Sequence, residues 1–121
     1  MLLDRHEIVI PYKSILVKID YPLERPICIL LRALDGKTSF TRGDLAMSIA
    51  HAYKNIYREE ELTSTLPVET MNERTMGDVP LTNRARTNGC YGIWGHALSD
   101  LDLHTVYVSD DGKLCTLGID S

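Results

Sequence analysis

At 121 residues, with 44% apolar and 25% charged side chains, the chain is long enough to bury one core and too apolar to be disordered. No apolar run approaches the roughly 18 residues of a membrane span, and the charges within Met1–Glu7 come too early for a secretory signal. The formal charge of −4 is that of residues 90–121, where Lys113 stands against Asp100, Asp102, Asp110, Asp111 and Asp120, so phosphate contacts are not expected there.

The three cysteines (Cys28, Cys90, Cys115) have no close pair and suit free thiols in a reducing compartment. A single domain over residues 1–121 is expected.

Glu7–Tyr12 and Ile15–Tyr21 read as two short strands broken near Pro11. In the second, Ile15, Val17, Ile19 and Tyr21 alternate with Lys18 and Asp20, the period of a half-buried strand. Pro26 then opens an apolar run that closes at Gly36, with only Arg32 charged before Asp35. Pro at the first turn, Gly past the end and the Leu/Ala/Arg content favour a helix buried nearly all round. A buried strand over 26–33 is the alternative.

Thr41-Arg42-Gly43-Asp44 is a capping-box variant, with Phe40 and Leu45 placed as a hydrophobic staple. Beyond it Leu45, Ile49, Ala52 and Ile56, flanked by Ala46, Ala50, Tyr53 and Tyr57, share one face of an amphipathic helix. Ser48, His51, Lys54, Asn55 and Arg58 occupy the other. Glu59-Glu60-Glu61 sits badly at the negative end of the helix dipole, so either the helix stops near Arg58 or those carboxylates meet cations.

Residues 62–89 show no sustained period and read as a long irregular segment or arm, with a short helical turn near Thr70–Thr75. At the end of the chain, Leu103–Ser109 and Lys113–Asp120 flank Asp110-Asp111-Gly112. A two-residue turn at Asp111-Gly112 sets Val108 opposite Cys115, Val106 opposite Leu117 and His104 opposite Ile119. The apolar residues then share one face, and His104 lies at a core or edge position. The fold class is α+β: a small antiparallel sheet with a C-terminal β-hairpin and one or two packed helices.

The least ordinary stretch runs from Thr82 to Leu101. It holds the only Trp, Gly89, Gly92 and Gly95 at a spacing of three, and Arg84, Arg86, Tyr91, Ile93 and His96. Glycine persists where φ is positive or another group comes close, so this reads as a recognition loop or a tight crossing.

Its chemistry is thin. Cys90, His96 and His104, with Cys28 or Cys115, lack the paired spacing of a structural zinc site. Cys90 with His96 has the residue types of a nucleophile and base, and Asp100 with Asp102 near His96 could hold a cation. Packing and solvation explain both sets more simply. Gly89-x-x-Gly-x-x-Gly is neither a dinucleotide fingerprint nor a P-loop. No catalytic residue, metal or cofactor is expected.

Phe40-Thr-Arg-Gly-Asp-Leu45, Tyr53-Lys-Asn-Ile-Tyr57 and Thr87-Asn-Gly-Cys-Tyr-Gly-Ile-Trp-Gly-His96, with Asp100-Leu101 after it, together resemble stretches of small proteins of large DNA viruses of amoebae (marseillevirus-like). The resemblance spans roughly residues 38–121. It implies a virion or host-cytoplasm setting rather than secretion, and carries no reaction with it.

The residues themselves point to a non-enzymatic interaction or structural module, self-associating as a homodimer, with Arg84, Arg86, Tyr91, Ile93, Trp94 and His96 as contacts. The alternative is a nucleic-acid binder, winged-helix-like or single-strand-specific, using Arg84, Arg86, Tyr91 and Trp94.

Overall fold

The helix signalled at Thr41 forms, and the sheet is built against it. The computed structural model describes residues 2–66, 75–76, 79–80 and 86–121. Its strands are β1 (Ile8–Ile10), β2 (Ser14–Ile19), β3 (Ile27–Arg32), β4 (Phe40–Thr41), β5 (Thr75–Met76), β6 (Val79–Pro80), β7 (Asp102–Val108) and β8 (Leu114–Asp120). Helix α1 spans Arg42–Thr63, and a 3-10 turn covers Leu98–Asp100.

Thr41 caps α1 as its sequence signals: the Asp44 N–H donates to its hydroxyl at 3.1 Å. The next free donors of the first turn are taken by the N-terminal segment, Arg42 N–H by the Glu7 carbonyl and Gly43 N–H by that of Arg5, each at 2.8 Å. Phe40 and Leu45 are both buried, as a staple requires. The buried stripe of α1 continues through Ile49, Ala52, Tyr53, Ile56 and Tyr57 to Glu60. The helix therefore does not stop near Arg58. It runs another turn because its acidic end finds partners other than cations.

The main sheet has the order β3-β2-β8-β7, with β1-β4 and β5-β6 as separate two-stranded pairs. It is mostly antiparallel, but its central β2–β8 pair is parallel, with Leu16 beside Leu114 and Val17 beside Cys115. Parallel neighbours need a crossover, and the connection between these two contains α1. Ile15, Val17, Ile19 and Cys115 join the helix stripe in one core, with Ile10, Leu23 and Ile93.

Residues 27–32 form a strand, not the favoured helix. They pair antiparallel with β2 from Ser14↔Arg32 to Ile19↔Ile27. Ile27, Ile29 and Leu31 are half-buried while Cys28, Leu30 and Arg32 are exposed. A run that is apolar on both rows carries no alternation, so its period could not decide between helix and strand.

The hairpin keeps the expected register beside its turn, Val108↔Cys115 and Val106↔Leu117. The turn lies one residue earlier than expected: Gly112 N–H donates to the Ser109 carbonyl, and Gly112 takes φ +71°. A shift in register then sets Leu103, not His104, opposite Ile119. His104 is exposed on β7, the edge strand, with Nδ1 2.6 Å from the Thr105 hydroxyl, so of the two expected places it takes the edge and not the core. The turn expected near Thr70–Thr75 lies outside the described residues except for Thr75, which belongs to β5.

Candidate functional site

Glu60 lies on the apolar stripe of α1, one turn beyond Ile56, and none of its surface reaches solvent. A buried carboxylate persists only with donors around it. Here they come from the glycine-rich loop. The Thr87 hydroxyl donates at 2.6 Å and the backbone N–H groups of Gly89, Tyr91, Gly92 and Ile93 at 2.8, 2.9, 3.1 and 3.3 Å.

Burial alone would raise the Glu60 pKa. The hydrogen bonds from Thr87, Tyr91, Gly89 and Gly92 outweigh it and bring the carboxyl from 4.5 down to about 2. The acidic end of α1 is thus the template on which the loop folds.

The rest of the helix end ties down the same loop. Cys90 N–H donates to the Thr63 hydroxyl at 2.9 Å, and the Asn88 side-chain oxygen accepts from Thr65 and Leu66 N–H at 2.8 and 3.2 Å. On its other side the loop meets the β2–β3 connection. Glu24 and Arg25 N–H donate to the Gly92 and Tyr91 carbonyls at 2.8 and 3.1 Å, and Leu23 bridges Ile93. The Arg25 guanidinium donates to the carbonyls of Cys90 and Gly89. Donors face Glu60 and acceptors face Arg25, so this irregular segment leaves few backbone groups unsatisfied.

The three glycines serve different ends. A Cβ on Gly89 would lie 2.5 Å from both the carbonyl and a carboxylate oxygen of Glu60. Gly95 meets nothing within 4 Å but holds φ +72°. Gly92 combines φ +69° with Glu24 at 2.8 Å from its notional Cβ.

Of the residues singled out in the sequence, Arg84 lies outside the described residues. Arg86 is ion-paired with Glu24. Tyr91 is half-buried, its hydroxyl donating to Glu59 at 2.6 Å. That hydrogen bond to a carboxylate, with burial second, pushes its phenol above the ordinary range. Ile93 has no exposed surface, so it anchors the loop in the core instead of facing a partner.

Trp94 is 40% exposed. Its ring meets Tyr21 edge-on at 5.4 Å and lies 5.8 Å from the imidazole of His96. The Tyr21 hydroxyl lies 2.7 Å from His96 Nε2 and 2.8 Å from the Ser121 hydroxyl. Tyr21 completes this aromatic platform, and no motif marks it in the sequence. The carbonyls of Tyr21 and His96 accept from the Tyr53 and Tyr57 hydroxyls of α1 at 2.8 and 3.0 Å, so the platform stands on the helix.

The thiols are divided, Cys28 and Cys90 exposed and Cys115 buried. Asp100 and Asp102 do not share a strand: Asp100 ends the 3-10 turn and accepts from Ala97 N–H at 2.9 Å, while Asp102 opens β7. Cys115 is buried, and burial pushes its thiol up, away from nucleophilic character. Among the described residues no three His, Cys, Asp or Glu side chains cluster as metal ligands, and no helix is long and apolar enough to cross a membrane. Comparison with protein-family models, curated proteins and solved structures finds no match.

Proposed function

We propose that the chain is a non-enzymatic interaction module that self-associates and presents Tyr21, Trp94 and His96 to a protein partner. One observation carries this reading: a half-exposed Trp ring is held on a platform whose backbone is hydrogen-bonded to α1 and whose two flanking rings are hydrogen-bonded to each other. Rigid aromatic side chains dominate binding energy at protein interfaces because little freedom is lost on contact. The resemblance to amoebal-virus proteins is the reason to set such a module in a virion or the host cytoplasm. The nucleic-acid reading is weakened by the pairing of Arg86 with Glu24 and by the acidic C-terminal third.

Sedimentation of the pure chain across micromolar concentrations tests self-association, which requires a mass above 13.6 kDa. A monomer at every concentration removes that half of the proposal. Gel shifts with single-stranded and duplex DNA and RNA at low salt are expected to show no retardation, and a salt-sensitive shift would overturn the protein-partner reading. Trp94→Ala is expected to remain folded, losing about 1–2 kcal/mol rather than the 3–5 kcal/mol of a core aromatic.

A further inference from the structure

The edges of the main sheet, β3 and β7, are unlike each other. In an antiparallel pair, facing residues alternate between those that exchange hydrogen bonds and those that do not. Ala33 N–H donates to the Lys13 carbonyl at 2.7 Å, while Leu16 N–H points the other way, to Lys113 next to β8, at 3.3 Å. This phase turns the peptide groups of Ile27, Ile29 and Leu31 toward β2. Those of Cys28, Leu30 and Arg32 lie on the outer edge, where no other strand pairs with them among the described residues.

An open edge of this kind templates another strand unless something blocks it. On β7 the blocks are present: a register irregularity between Leu103 and Thr105, Asp102 at the start, and Asp110 and Asp111 just past the end. On β3 the flanks carry Arg25, Pro26 and Asp35, but the strand itself is unblocked. Ile-Cys-Ile-Leu-Leu-Arg is regular, contains no Pro or Lys, and has its single charge at the last position.

We infer that β3 pairs antiparallel with β3 of a second copy, joining two four-stranded sheets into one across a two-fold axis at Leu30. The inference rests on the self-association reading above and names the surface that performs it.

The register follows from the free groups. With Leu30 facing Leu30 of the partner subunit, Cys28 faces Arg32 of the partner subunit, and every outward peptide group of the three residues has a partner. Sliding one way brings Pro26, which has no N–H, opposite Arg32. Sliding the other way carries the pairing past the end of the strand and, further on, sets arginine against arginine.

The side chains agree with the same axis. Leu30 is 48% exposed and its neighbour Leu16 41% exposed. Across the axis they become one row of four leucines. On the opposite face Ile29, half-buried, meets Leu31 of the partner subunit. The two-fold contact uses both copies' β3 edges and so closes as a dimer; the blocked β7 edge prevents extension into a fibre.

Sedimentation and amide exchange on the full chain test this together. The wild-type protein is expected to reach twice its 13.6 kDa mass as concentration rises. In parallel the Cys28, Leu30 and Arg32 amides should slow at least about tenfold in exchange, as a Kd within the concentration range implies. The Ile27, Ile29 and Leu31 amides should stay protected at every concentration.

Leu30→Arg sets two like charges face to face on a side chain that is half-exposed in the monomer. It should yield a 13.6 kDa species with wild-type circular dichroism and the melting of the wild type at dilutions where that is monomeric, while Trp94→Ala should dimerise as the wild type does. A wild-type monomer throughout overturns both this inference and the self-association reading. A dimer that survives Leu30→Arg, or that leaves the exchange of Cys28, Leu30 and Arg32 unchanged, overturns the β3 interface alone. So does a Trp94→Ala variant that no longer dimerises.

Discussion

Glu60→Ala is expected to cost about 4–5 kcal/mol, near the upper end of single-residue effects. The substitution strands the Thr87 hydroxyl and four backbone N–H groups that now converge on one carboxylate. Each buried donor left without a partner costs about 1–3 kcal/mol, and water entering the vacated space recovers part of the total. Against a usual margin of about 5–15 kcal/mol, such a variant is close to unfolding at room temperature. Glu60→Gln keeps the shape but turns an NH2 group toward donors, so about 2–3 kcal/mol is expected. Urea denaturation of the three proteins at neutral pH measures both.

The same carboxylate sets part of the acid limb. Its folded pKa of about 2 lies below the ordinary 4.5. A depressed carboxyl contributes stability that is complete above its unfolded pKa and is lost as pH falls through the folded one. The contribution, about 3 kcal/mol from that difference, should therefore be full above about pH 5.5, mostly lost near pH 2 and gone near pH 1. Glu60→Gln, having no proton to take up, should lack that part of the decline.

Gly89→Ala should be as damaging, losing at least about 3 kcal/mol. The reason is crowding, because φ at Gly89 is not positive. Its Cβ would press at 2.5 Å on the carbonyl and the caged carboxylate of Glu60, neither of which can retreat. Gly95→Ala supplies the contrast: φ is +72° but nothing lies within 4 Å, so a cost of about 1–2 kcal/mol is expected from conformation alone. Thermal melts of the two variants side by side check the ranking. Equal losses would mean that the loop does not approach the helix end as closely as described.

Much of this arrangement is legible in the residues alone. The start of α1 was written in Thr41 and Asp44, the hairpin register in Val106, Val108, Cys115 and Leu117, and the need for close approach in the spacing of Gly89 and Gly92. Glu60 departs from the expectation for the acidic run, and it falls one turn after Ile56 on the apolar stripe. A charge on a buried stripe must have partners, and the N–H dipoles of a glycine-rich loop supply them without any cation. The run 27–32 misled for a different reason. Its outer row, Cys28 and Leu30, is apolar yet exposed, so neither period stood out. Tyr21 could not be found at all, because its place beside Trp94 and His96 is set by the tertiary path of the chain.

The central claim is that an ionised Glu60 holds the loop that carries Trp94. Carbon-detected NMR titration of the Glu60 side-chain carboxyl tests it most directly, with the amides of Gly89, Tyr91, Gly92 and Ile93 followed in the same samples. The account predicts a carboxyl midpoint near 2, with the four amides shifting together at that pH. A midpoint near the ordinary 4.5, with those amides unmoved as the carboxyl titrates, would contradict it.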